Sequence, residues 1–164
     1  MSRPDAATEQ PVVWTNWAFA QRGDTIVLCT AGESAPPEED FALWLERLAR
    51  GDFDKLLIHT LGGQPSATQR SRLTATLQQP GMPAVRMAML TDSAVSRAML
   101  TAFTWFFSDN RLRAFALDEL QSALIWLRSD VALSEAADLV ASLHAALANR
   151  PTRKPRQAGS PKNA

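Results

Sequence analysis

Short apolar runs alternate with amphipathic stretches along most of the chain. The runs at 25–30 (TIVLCT), 54–60 (DKLLIHT) and 84–90 (AVRMAML) are rich in β-branched and aliphatic residues, as strands are. Between the first two runs, Phe41, Trp44, Leu45 and Leu48 recur at i, i+3, i+4 and i+7, which predicts one apolar face of a helix. The pattern therefore predicts an α/β fold built from strand–helix–strand units.

The predicted elements are five strands and five helices. The strands are expected at 12–19, 25–30, 54–60, 84–90 and 111–115. The helices are expected from 35–39 to Gly51, at 66–79, at about 93–107, at 117–127 and at 134–147, the last being an extra C-terminal helix. This order predicts a mixed, largely parallel sheet of four to five strands, with helices predominantly on one side. The run at 54–60 is expected inside the sheet, with Leu57 and Ile58 buried.

Local sequence signals predict two helix starts and the orientation of two tryptophans. Ser66 followed by Gln69 is a capping-box pattern, and Ser134 is the predicted N-cap of the last helix. Trp14 and Trp17 lie three residues apart in one predicted strand, so they are expected to point to opposite faces, which leaves one of them exposed to a partner unless the extra C-terminal helix covers it.

Charge divides the chain into a body and a tail. The formal net charge is zero, yet five of the 17 basic residues lie in 149–164, where there is no acid. Residues 1–148 therefore hold 12 basic and 17 acidic residues, which makes duplex nucleic acid an unlikely partner for the domain and leaves weak contact to the tail. Expected are a flexible segment 1–10, a domain at 11–148 and a disordered basic tail at 149–164.

Other global features concern the compartment. Cys29 is the only cysteine, so no disulfide can form within the chain, which suits a cytoplasmic location. The first residues lack the apolar core of a signal peptide, and no apolar run approaches the roughly 20 residues of a membrane span.

Three stretches carry a resemblance to a known family. They are the hairpin WTNWAFAQRGDTIVLCTAG, the strand, turn and helix DKLLIHTLGGQPSATQR, and the ending RLRAFALDELQSALIWL. In order and length these segments, over residues 11–128, resemble the STAS family of anti-sigma-factor antagonists, as a divergent bacterial member. The resemblance implies a STAS-like fold and a small regulatory module that binds another protein and is not an enzyme.

The resemblance also implies a regulatory position. Many STAS domains are switched by phosphorylation at the start of the helix after the third strand, which here is Ser66, with Thr68 close by. The usual pattern there is Asp-Ser-Ser-Gly, whereas this chain has Pro-Ser-Ala-Thr. Ser66 is thus either a switch or a plain helix cap.

Gly62 and Gly63 raise the question of a phosphate loop. No Gly-Lys-Ser/Thr follows them, and the three spaced glycines of a dinucleotide fingerprint are missing. Two interpretations remain: a turn between strand and helix, or a binding loop at the carboxyl end of a parallel strand. In the second interpretation Gly62, Gly63, Ser66 and Thr68 form an interaction or phosphorylation loop.

A second group of candidates follows neighbouring strands. His59, Asp92, Ser93 and Arg97 are predicted near one sheet edge, where they are either structural or part of a binding site. Arg70 and Arg72 are further cations for that edge. His59 and Ser66 invite a hydrolase hypothesis, but no G-x-S-x-G elbow is present. Two separate histidines and one cysteine predict no metal site, and no cofactor is expected.

The sequence therefore favours two possible functions. The first is a non-enzymatic cytoplasmic interaction module of STAS type, whose partner is another protein. The alternative is a small-molecule-binding or hydrolytic α/β protein that uses the loop from Gly62 to Ser66. The sequence leaves the oligomeric state open.

Overall fold

A six-stranded sheet forms the centre of the protein. The computed structural model describes residues 10–82, 84–93 and 111–150. The strands are β1 (Val12–Val13), β2 (Trp17–Arg22), β3 (Thr25–Thr30), β4 (Lys55–Thr60), β5 (Arg86–Thr91) and β6 (Leu112–Phe115). The described helices are α1 (Glu38–Ala49), α2 (Ala67–Leu77), α3 (Leu120–Leu127) and α4 (Leu133–Ala148).

The strand order in the sheet follows the chain, from β1 to β6. β1, β2 and β3 pair antiparallel, whereas β3 through β6 pair in parallel. The predicted mixed, largely parallel α/β sheet is confirmed, and β4 lies inside it. Leu57 is fully buried as predicted, while Ile58 is only half-buried.

The number of strands differs from the predicted four to five because one predicted strand is two. The chain turns back on itself at 14–16, where the Trp14 N–H donates to the Trp17 carbonyl at 2.7 Å. The Asn16 side chain holds this turn by donating to the Ser34 carbonyl at 2.7 Å. Val12 and Val13 therefore pair with β2 as a short edge strand of their own.

The same turn makes the prediction for the two tryptophans wrong. Trp17 is buried, and Trp14 is half-buried against the same cluster. The Trp14 ring packs edge-on against Phe19, with 5.1 Å between the ring centroids. Because the strand is interrupted between them, the alternation of faces does not carry across, and neither indole is left fully exposed.

The described helices cover both faces, which corrects the prediction that they lie predominantly on one side. α1 and α2 each connect parallel neighbours in a strand order that always advances the same way, and right-handed crossovers then place both on one face. α3 and α4 follow the last strand, so no crossover constrains them, and they pack on the opposite face. β3 is consequently buried along its whole length.

Helix starts give one confirmed and one wrong prediction. The capping box at α2 is present: Ser66 Oγ accepts from the Gln69 N–H at 3.2 Å, and the Gln69 side chain accepts from the Ser66 N–H at 3.0 Å. Ser134 does not cap α4. The Ala136 N–H already bonds the Ala132 carbonyl at 2.9 Å, so Ser134 lies within the first turn and Ala132 is the N-cap.

Leu57 provides a test of the burial of β4 under α3 and α4. Replacing it with Ala removes apolar volume at a fully buried position, so the free energy of unfolding should fall by about 2–5 kcal/mol. Leu43→Ala on α1 is the control, since that side chain is 48% exposed and should cost within about 0.5 kcal/mol. Urea unfolding measures both, and equal midpoints would show that β4 does not lie in the core.

Candidate functional site

The carboxyl ends of the three central parallel strands meet in register at a row of threonines. Thr30 of β3 is paired with Thr60 of β4, which is paired with Thr91 of β5, and all three are buried. Thr30 Oγ1 lies 2.8 Å from Thr60 Oγ1 and 2.6 Å from the Gly62 carbonyl oxygen. The sequence did not predict this row, because it depends on the register of the three strands. The hydroxyls of Thr30 and Thr60 thus hold the Gly62 carbonyl, just after β4 ends.

Gly62 and Gly63 lie against the backbone of the neighbouring loop. Both have positive φ, 137° and 66°. A Cβ on Gly62 would clash with the Gly32 carbonyl oxygen, and one on Gly63 would lie 2.5 Å from the Ala31 carbonyl oxygen. The Gly63 N–H also donates to the Gly32 carbonyl at 2.6 Å. Glycine is required here because two backbones touch.

Further hydrogen bonds hold the remainder of this loop. The buried indole Nε1 of Trp17 donates to the Gly63 carbonyl at 2.8 Å. On the far side, Arg70 Nη1 donates to the Pro65 carbonyl at 2.7 Å, and the capping box of Ser66 fixes the start of α2. The loop from Leu61 to Ser66 is therefore held at both ends and in the middle, and we call it the glycine loop.

The outer surface of the glycine loop carries the exposed groups. Leu61 is 56% exposed, directly after the buried end of β4. Ser66 and Thr68 are also exposed, so the structure places both predicted regulatory hydroxyls at the surface. Arg72, one of the two cations predicted for this edge from α2, is engaged in an ion pair with Glu38.

His59 meets the other histidine of the chain, not Ser66. His59 Nδ1 lies 2.9 Å from Nε2 of His144 on α4, with the rings packed edge to face. His59 points to the face covered by α3 and α4, like Leu57 two residues before it, whereas Ser66 caps α2 over the opposite face. The described residues therefore bring together no His59–Ser66 pair. The histidine pair joins residues 85 positions apart, which no local sequence signal could reveal.

Burial sets the protonation state of this pair. It lowers the pKa of His59 below its ordinary value of 6.5, against the opposing effects of a backbone hydrogen bond and of Asp92. It also lowers the pKa of His144, and the charge of a protonated His59 lowers it further. Both rings are thus neutral near pH 7, where one nitrogen donates and the other accepts.

The other predicted edge residues are more dispersed. Asp92 and Ser93 are exposed directly after β5, and the Ser93 N–H donates to Thr91 Oγ1 at 3.2 Å. The helix that they were predicted to cap, and with it Arg97, lies outside the described residues. Cys29 pairs with His59 across the sheet, and burial raises the pKa of its thiol to about 12, so the thiol is not a ready nucleophile.

The described residues show neither a cluster of metal ligands nor a membrane-spanning helix. Over residues 10–82, 84–93 and 111–150, no three side chains among His, Cys, Asp and Glu are grouped as metal ligands. None of the helices described is long and apolar enough to cross a bilayer.

Gly63 tests the backbone contact of the glycine loop. Gly63→Ala combines a strained φ with a clash on the Ala31 carbonyl and should lower the free energy of unfolding by about 1–3 kcal/mol more than its control. The control is Gly23→Ala, which has a similar φ of 60° but nothing within 4 Å of the added methyl group. Thermal or urea unfolding compares the two, and equal losses would show that the loops do not touch.

The histidine pair predicts a pH dependence. Because the folded pKa values are lowered, the unfolded chain binds protons first as the pH falls through about 6.5, and stability is lost from there down to the folded values. The double variant His59→Gln/His144→Gln should show a shallower fall between pH 7 and 5, by at most about 1.4 kcal/mol per pH unit for each group. Urea unfolding at several pH values measures this, and identical slopes in both proteins would contradict it.

The relation of this chain to known proteins rests on the sequence pattern alone. Comparisons with protein-family models, with curated proteins and with solved structures give no match. The STAS resemblance therefore stays a hypothesis.

Proposed function

We propose that the protein is a non-enzymatic, cytoplasmic interaction module of STAS type that binds another protein through the glycine loop. The observation that carries this proposal is Leu61, a large apolar side chain held 56% exposed on a loop that is fixed by hydrogen bonds. The lone buried thiol of Cys29 suits the reducing cytoplasm.

Rigidity supports a docking role for this loop. A side chain on a fixed backbone loses little conformational freedom on binding, so more of its contact energy appears as affinity. The Leu61 N–H bonds the Thr30 carbonyl at 2.9 Å, and the next two residues pack on the backbone of 31–32. Leu61 is thus presented from a preformed surface, beside a helix start where Ser66 and Thr68 offer exposed hydroxyls.

Position supports the same conclusion. The glycine loop follows β4 at the carboxyl ends of the parallel strands, and binding residues are often carried by loops that a rigid scaffold positions. Ser66 lies at the positive end of the α2 dipole, with no acid in the first turn of that helix. A negative charge on Ser66 is therefore compatible with the fold, yet it changes the surface that a partner meets.

The test begins with affinity capture on the tagged protein and identification of bound proteins by mass spectrometry. For the partner found, Leu61→Asp should weaken binding by about thirtyfold or more, as expected for an apolar anchor. Leu43→Asp on α1 is the matched control, because Leu43 is similarly exposed and is not part of the glycine loop. Titration calorimetry measures the dissociation constants.

Ser66 variants complete this prediction. Ser66→Asp should keep the fold and weaken the partner, whereas Ser66→Ala should lose about 1 kcal/mol of stability and leave docking largely intact. Equal partner binding by the wild type and all these variants would mean that the glycine loop is only a turn. Turnover of a substrate that disappears on changing His59 or Ser66 would overturn the non-enzymatic assignment.

A further inference from the structure

An apolar cavity lies beneath the glycine loop, between the sheet and helices α1 and α2. Its volume is about 90 Å³. The walls are aliphatic and methionine side chains of β3, β4 and β5, the indoles of Trp17 and Trp44, and Leu73 of α2. Gln64 and Pro65 of the glycine loop also line the cavity. Both sheet and helices thus contribute to the space.

The chemistry of the lining selects against charge. Among the described residues that line the cavity, none carries a charge. The hydroxyls in this described lining are those of Thr30 and Thr60, which are already hydrogen bonded to each other, with the Gly62 carbonyl oxygen also within reach of both. A water molecule inside would find few free partners, and apolar cavities of this kind stay dry and accept apolar guests.

The glycine loop contributes to the cavity wall through Gln64 and Pro65. This loop is fixed by the bond from the Trp17 indole to the Gly63 carbonyl and by the capping box of α2. Gln64 is exposed and Pro65 is half-buried, so the described lining extends to residues at the protein surface.

We infer that this cavity is a binding site for a small uncharged aliphatic ligand, or for the uncharged aliphatic end of a larger one. An engineered cavity of about 150 Å³ holds benzene, with six carbon atoms, so 90 Å³ corresponds to roughly four. The site does not depend on the proposed protein partner.

The direct test uses isobutanol as the probe and methionine methyl resonances as the readout. Met87 and Met89 line the cavity, whereas Met82 packs against the same apolar cluster without lining it. Isobutanol should shift the first two resonances saturably and leave Met82 nearly unmoved. Butyrate, of similar size but charged, should bind at least tenfold more weakly. Linear shifts shared by all three methionines would overturn the site, and equal binding of butyrate would overturn the selection against charge.

Variants at Leu73 test the location with opposite signs. Leu73→Phe should fill the space and abolish saturable binding, and Leu77→Phe on the same helix is the control, since Leu77 does not line the cavity. Leu73→Ala should enlarge the space and allow benzene to bind, which the wild type should exclude. Unchanged isobutanol binding in Leu73→Phe, or no gain of benzene binding in Leu73→Ala, would overturn the assignment. Circular dichroism establishes that each variant is folded.

Discussion

The parallel pairing of β3 with β4 is the contact on which the rest of the molecule depends. The two strands match residue for residue, from Thr25 with Lys55 to Thr30 with Thr60. Side chains alternate between faces, so a slip by one residue would move every apolar group of one strand to the wrong layer. The register also decides what happens beyond the strands. It places the chain after Thr30 directly beside the chain after Thr60, where the two loops touch through Gly62 and Gly63.

The two faces of this sheet are packed with side chains of different size. The face under α3 and α4 uses small side chains, including Ala18, Ala20 and Ala88, which let the helices approach closely. The face under α1 and α2 is aromatic: the rings of Trp17 and Trp44 meet edge to face with centroids 5.9 Å apart. Large rigid rings cannot fill an irregular gap as flexible side chains can. The cavity lies on this face and borders both indoles.

Features that depend only on residues close together in the chain could be predicted from the sequence. The capping box needs only Ser66 and Gln69, and the solid apolar run around Leu57 signals an interior strand. The break at Trp14 could not be predicted, because Asn16 is held by Ser34 and Ala35, which are remote in the chain. The same holds for the candidate site. The glycine pair was visible, but its contact with residues 31–32 and the meeting of His59 with His144 depend on tertiary packing.

The glycine loop shows why a structural and a functional interpretation need not exclude each other. The glycines are required because backbones touch, and this contact is what fixes the loop. A fixed loop can hold Leu61 in solvent on its outside and, through the Trp17 indole and Pro65, cover an apolar cavity on its inside. The backbone contact that makes LGGQPS a turn therefore also fixes the backbone that carries the exposed Leu61.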